Sequence, residues 1–133
     1  MRELDAVTAM LYEGGVPMTG SSMTDDEALS YMRDLRLNTE FCLIRDWIWI
    51  DLEVTPLQLA ELEKTRRQPA LIFAHKVIYD SARRWDVGDF VRTSPLYAFR
   101  DGFLFQTLNS VYVLLGEGLR KRASVETVGR IIF

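Results

Sequence analysis

Trp85-Asp86-Val87-Gly88-Asp89-Phe90-Val91-Arg92-Thr93-Ser94-Pro95-Leu96 decides the fold class, read together with Phe99-Arg100-Asp101-Gly102-Phe103-Leu104-Phe105 and Asn109-Ser110-Val111-Tyr112-Val113-Leu114-Leu115-Gly116. Short β-branched and aromatic runs alternate with Asp/Gly, Ser-Pro and Asn-Ser punctuation, the pattern of an antiparallel meander. Asp86 and Asp89 flank Gly88; they read as turn residues whose side chains bond local amides, rather than as a paired-carboxylate site. Ser94-Pro95 is a turn as well, because the glycines of a nucleophile elbow are missing.

Upstream, residues 40–54 read as strand. Phe41-Cys42-Leu43-Ile44 precedes Arg45-Asp46, where a hairpin turn is expected, and Trp47-Ile48-Trp49-Ile50-Asp51-Leu52-Glu53-Val54 follows. In the second run Ile48, Ile50, Leu52 and Val54 share one face, and Trp47, Trp49, Asp51 and Glu53 share the other. Residues 70–79 carry apolar side chains on both faces, which marks a central strand. Residues 127–133 give a last candidate strand.

Three helices are expected. Residues 3–12 space Leu4, Val7 and Leu11 on one face. Thr24-Asp25-Asp26-Glu27 is a capping box opening a helix to about Arg36, with a stripe of Ala28, Leu29, Met32 and Leu35. Thr55-Pro56 caps another, with Leu59 and Leu62 inward and Pro69 as its stop. Residues 14–23 read as a loop. The expectation is one α+β domain over 1–133, mostly an antiparallel sheet, partly closed into a barrel, with two or three short helices packed on it.

The chain has 133 residues, 48% hydrophobic and 26% charged, ordinary for a globular domain with its own core. No apolar run approaches the roughly 20 residues of a membrane span, and residues 1–5 lack the apolar region of a secretory signal. The single Cys42 has no disulfide partner, which suits the cytoplasm. The net charge of −3 is unevenly distributed. Residues 1–63 hold 4 Lys/Arg against 13 Asp/Glu, a balance of −9; residues 64–133 hold 12 against 6, a balance of +6. Mutual attraction of the halves within one fold accounts for this more simply than two partner-facing surfaces.

No catalytic, metal or cofactor motif emerges, so none is expected. Trp47 and Trp49, if their face of the sheet is open, form with Asp51 a protein-binding anchor, against the alternative that a helix covers them. Arg66, Arg67, Arg83 and Arg84 would flank that anchor electrostatically. Arg120, Lys121 and Arg122, after Gly116-Glu117-Gly118, are candidates for nucleic-acid or phosphate contact, weakened by a sequence pI near 5.2 and by the absence of a P-loop. A solvated hairpin end is the simpler reading of that segment. His75, the only histidine, is a structural residue on this reading. An enzyme would need it beside a carboxylate such as Asp80 or Asp86. Cys42 lies in an apolar strand without a basic neighbour and reads as an inert thiol.

Four blocks carry a resemblance: Cys42-Leu43-Ile44-Arg45-Asp46-Trp47-Ile48-Trp49, Ala74-His75-Lys76-Val77-Ile78-Tyr79-Asp80-Ser81, Gly88-Asp89-Phe90-Val91-Arg92-Thr93-Ser94-Pro95-Leu96, and Thr107-Leu108-Asn109-Ser110-Val111-Tyr112-Val113-Leu114-Leu115-Gly116. They look like blocks of a family of small bacterial proteins of unknown function, matched over roughly residues 20–122. Families of this kind are often carried by prophages or other mobile elements, which implies an accessory, host-interacting role. The resemblance brings no activity and no catalytic residues. The leading expectation is a non-enzymatic cytoplasmic binding protein that contacts another protein; a nucleic-acid-binding module and a small enzyme using His75 are the alternatives.

Overall fold

A computed structural model describes Thr8 and residues 13–129. The expected helix at 3–12, apart from Thr8, and the last four residues of the expected terminal strand lie outside the described residues. The elements, in chain order, are strand β1 (Val16–Thr19), helix α1 (Asp25–Leu35), β2 (Glu40–Glu53), helix α2 (Pro56–Glu63), β3 (Ala70–Asp80), β4 (Val91–Arg92), β5 (Ala98–Arg100), β6 (Leu104–Gln106), β7 (Ser110–Leu114), β8 (Glu117–Ser124) and the short helix α3 (Val125–Gly129). The sheet is mostly antiparallel and curls into a half-barrel.

The expected meander over 85–116 is present in part: β5, β6 and β7 pair antiparallel in sequence order, whereas β4, from its first segment, pairs antiparallel with β3 instead of β5. Gly88 and Gly102 supply positive φ angles in its turns, and the Asp89 carboxylate accepts from the Asp86 amide, so these acids are turn residues. Unforeseen are two parallel ladders. β7 and β8 lie end to end and pair in parallel with the first and second halves of β2 respectively.

Arg45-Asp46 is therefore not a hairpin turn. β2 runs on through it, paired with β3 on its other side, and exchanges β7 for β8 as neighbour there. Asp46 has φ 52°, and Ile44 and Trp47 join the same core cluster despite their odd spacing. The facing strand bends at Gly116, φ 69°, so the two strands turn one corner of the half-barrel together.

Segment 14–23 is not a free loop either. β1 pairs antiparallel with β8, and Gly20 and Ser21 continue the bonding to Gly116 and Leu114. Pro17 is tolerated because β1 is an edge strand. Glu117–Ser124 forms strand β8 instead of a hairpin end, and residues 127–129 of the strand expected over 127–133 belong to helix α3. The Ser124 hydroxyl accepts from the Thr127 amide and caps that turn.

Both other caps form as read. The Thr24 and Thr55 hydroxyls accept from the Glu27 and Gln58 amides, whose side chains accept in return. Helix α2 stops at Glu63, before Pro69. Arg66 adopts φ 58° and the Arg67 amide donates to the Leu62 carbonyl, a left-handed closure of the Schellman type. Leu59 and Leu62 are only half-buried, and no residue of α2 is fully buried. Leu35 departs from its expected stripe and is 41% exposed, whereas Ala28 and Met32 are buried.

Three apolar clusters follow from this curl. Among the described residues the inside is filled mainly from the sheet, by Ile44, Trp47 and Trp49, Ile72 and Val77, and Phe105, Tyr112 and Leu114, with Leu96 and Trp85 added from the connections. Outside, α1 packs Ala28 and Met32 on Leu43, Leu104, Val111 and Val113. At the other end Val128 of α3 joins Ile48, Ile50, Leu71 and Phe73.

Candidate functional site

The expected aromatic anchor is inside the protein. Trp47 and Trp49 are 1% and 5% exposed. Among the described residues the curl of the sheet covers them rather than a helix, with Phe99 and Phe105 edge-on to Trp49 at 4.9 and 5.1 Å. The Trp47 indole N–H donates to the Leu115 carbonyl at 3.0 Å, so its polar atom is satisfied within the core. A face that would be open in a flat sheet is the interior of a curled one.

Asp51 is held by the same region. It accepts from the Trp49 indole at 3.1 Å and from Arg120 through two bonds of 2.7 and 3.0 Å. Burial raises its pKa, but the hydrogen bonds from Arg120 and Trp49 and the charges of Arg120 and Arg122 outweigh that and leave it below the ordinary value. Arg120 also lies over the Trp49 ring at 5.3 Å. Lys121 points to the opposite face of β8 and donates to the Glu13 carbonyl. Arg120, Lys121 and Arg122 thus do not present three cations to one side.

The four flanking arginines separate into two pairs. Arg66 and Arg67 precede β3, and Arg83 and Arg84 follow it, with roughly 30 Å of strand between at about 3.3 Å per residue. Arg67 donates to the Thr65 hydroxyl. Arg84 is engaged with the buried Asp80 through its amide, Nε and Nη2 at 2.6, 3.1 and 2.9 Å, and with the Ser110 hydroxyl at 2.5 Å. Burial raises the Asp80 pKa; the bonds from the Arg84 side chain and backbone, its charge and the Ala82 amide reverse this and hold the carboxyl below the usual range. Burial pushes the nearby Cys42 thiol and Tyr112 phenol up to about 12, with the Asp80 charge also raising both and the Arg84 charge opposing. Cys42 is thereby an inert packed thiol at neutral pH.

His75 is half-buried and edge-on to Phe73, with ring centroids 4.8 Å apart. Asp80, its suggested partner, is committed to Arg84. Asp86 sits in the turn closed by Asp89. Among the described residues, no group of three or more His, Cys, Asp or Glu side chains is placed to hold a metal ion. No helix among them is long and apolar enough to cross a membrane.

A concave feature with mixed chemistry lies where α1 ends and β2 begins. Met32, Arg33, Arg36, Leu37, Asn38, Thr39, Glu40, Phe41 and Ser81 line an open cavity of about 440 Å³. Arg36 closes the helix with φ 50°, which turns the chain sharply and carries Leu37 outward to 39% exposure beside Leu35. Arg33 lies over the Tyr79 ring at 5.8 Å, and Tyr79 packs on Phe41. Glu40 is turned onto the Ser81 hydroxyl, which donates to it, and the Thr39 hydroxyl donates to the Asn109 carbonyl at 2.9 Å. A second concavity, about 70 Å³, adjoins across Leu37 and Thr39 and is walled by Arg100, Leu104, Gln106 and Val111. Among the described residues Arg33, Arg36 and Arg100 make no ion pair. Arg83 and Arg84 lie at this same end of β3; the tryptophans, Arg66 and Arg67 do not.

Sequence reading passed over Arg33, Arg36, Leu37 and Arg100. The two arginines are spaced i, i+3 on a helix with an acidic start, a signal that was available; the exposure of Leu35 and Leu37 was not, because helical periodicity counted Leu35 inside.

No curated protein matches the chain, and no solved structure does. A family model matches residues 19–130, most of the chain and all four of the quoted blocks. The chain belongs to the family described as a domain of unknown function, DUF6957.

Proposed function

We propose that this protein is a non-enzymatic binding module that contacts another protein with the end of the half-barrel where α1 meets β2. The observation that carries this is the outward Leu37 together with Arg33 and Arg36, two arginines free of carboxylates among the described residues, around one open cavity, with Leu35 also exposed at the last position of α1. Apolar side chains held at a surface beside unneutralised cations are the composition of a contact patch: the leucines supply desolvation energy and the arginines direct the partner. Arg83 extends the cationic side, whereas Arg84 is neutralised by Asp80. On this reading the protein is a cytoplasmic accessory factor of the kind mobile elements carry, acting on a host complex. The lone, packed Cys42 supports a reducing compartment.

The test is site-specific photocrosslinking in the native cell, with the crosslinker at Leu37 and, as comparison, at Leu57, 74% exposed on α2. A discrete protein adduct from position 37 and none from 57 is the expected result. Absence of an adduct at 37, or the same adducts at both, overturns the reading.

A further inference from the structure

The contact patch has a shape and a charge that specify more than a generic protein partner. The two concavities meet at Leu37 and Thr39 and together run from Ser81 and Phe41, past the end of α1, across the outer faces of β7 and β6 to Arg100 on β5. Arg33 and Arg36 stand at one end and Arg100 at the other. Among the described residues the only carboxylate lining either concavity, Glu40, is engaged by the Ser81 hydroxyl. The smaller concavity has apolar walls in Leu104 and Val111, which are 6% and 4% exposed. At about 70 Å³ it is far below the roughly 300–1,000 Å³ of a small-ligand site and suits one aliphatic side chain.

Resting on the protein-binding reading above, we infer that this groove takes an extended acidic segment of the partner, with Asp or Glu side chains on Arg33, Arg36 and Arg100 and an aliphatic side chain beside Leu37 in the smaller concavity. Charge complementarity selects the acid: the groove presents three guanidinium groups and one occupied carboxylate. Elongation selects a linear segment over a compact anion, since a phosphate would use one end and leave Leu37 and Arg100 without a role. Exposure of the arginines makes each contact modest and the sum salt-sensitive.

The experiment is fluorescence anisotropy of the full chain with a labelled peptide alternating Glu and Leu, its counterpart alternating Lys and Leu, and inorganic phosphate as competitor. The expected result is binding of the acidic peptide alone, weakened about tenfold by Arg36→Glu and again by Arg100→Glu, and lowered by raised salt. Leu37→Asp weakens it similarly. Arg33→Gln, which keeps a long side chain on an exposed helix face, is the variant to use if Arg36→Glu fails to fold. Equal binding of the Lys peptide, indifference to the arginine variants, or displacement by millimolar phosphate overturns the inference. If the Leu37 crosslink forms but the acidic peptide is not bound, the inference falls and the protein-binding reading stands; if neither occurs, both fall.

Discussion

Gly118 faces the indole of Trp47, and replacing it by alanine tests how the half-barrel is closed. A Cβ at Gly118 would lie 2.4 Å from two carbons of the Trp47 ring and 2.6 Å from a third. Trp47 cannot swing into solvent, being 1% exposed, and its N–H is fixed to the Leu115 carbonyl. Either the ring shifts and weakens that bond, or β8 moves away from β2 and strains the parallel ladder. Overpacking of this kind costs about 1–3 kcal/mol, and a weakened buried hydrogen bond adds about 1 kcal/mol. The ordinary gain of alanine over glycine within a strand offsets about 0.5–1 kcal/mol. Gly118→Ala is therefore expected to destabilise the fold by about 2–3 kcal/mol, read in urea denaturation followed by tryptophan fluorescence. In thermal melts this is a fall of roughly 8–12 °C. Gly14→Ala, with nothing within 4 Å of the added carbon, should stay within about 0.5 kcal/mol of the parent. In the double variant with Trp47→Leu the added methyl enters vacated space, so the two effects should couple by about 1–2 kcal/mol in the relieving direction. A Gly118→Ala variant as stable as the parent, or strict additivity with Trp47→Leu, refutes the reasoning.

Asp80 should control acid stability. Its folded pKa lies below the ordinary value of about 3.9, so its contribution is fully present above that pH and is lost as pH falls through the folded pKa. Asp80→Asn should lower stability at pH 7 by about 1–2 kcal/mol, discounted from a fully buried pair because the Arg84 side chain is one-third exposed. The gap to the parent should close below about pH 4, which urea titrations from pH 2 to 7 will show. Cys42, with its thiol pushed up to about 12 and no exposure, should react with a thiol reagent only at the rate of unfolding. Labelling followed by mass spectrometry in increasing urea should then track the global transition, and prompt labelling of the native protein would contradict the packing described.

What the sequence made legible was local chemistry. The Thr24 capping box and the Thr55 cap before Pro56 are written in a few residues each, and the structure forms both, with Gln58 completing a second box at Thr55. The turns at Gly88 and Asp101-Gly102 are legible for the same reason. Segment 14–23 failed because its backbone partners come from β8, about a hundred residues away, and no local composition announces them. The hairpin at Arg45-Asp46 failed because a corner between two neighbouring strands needs the same polar residues as a turn. Whether Trp47 and Trp49 are open or covered was not legible, because alternation assigns residues to two faces without saying which face the sheet will curl around. The groove was hidden since its walls come from α1, β2, β5, β6 and β7, and only their assembly leaves Leu37 unpartnered.

The two parallel ladders also set an order of events during synthesis. β2 is complete at Glu53, yet one edge of it stays without a partner until residues 110–124 have been made. A hairpin of β2 and β3, rich in Ile, Trp and Val, can form early through antiparallel pairing, but the described residues that cover its interior face, Phe105, Tyr112 and Leu114 among them, come only with β6 and β7. Pairings of such sequence separation close slowly, and an uncovered apolar sheet edge is prone to association meanwhile. A chain interrupted before β7 would hold half a sheet with its tryptophans in water, so the emerging protein depends on rapid completion or on a chaperone more than its size suggests.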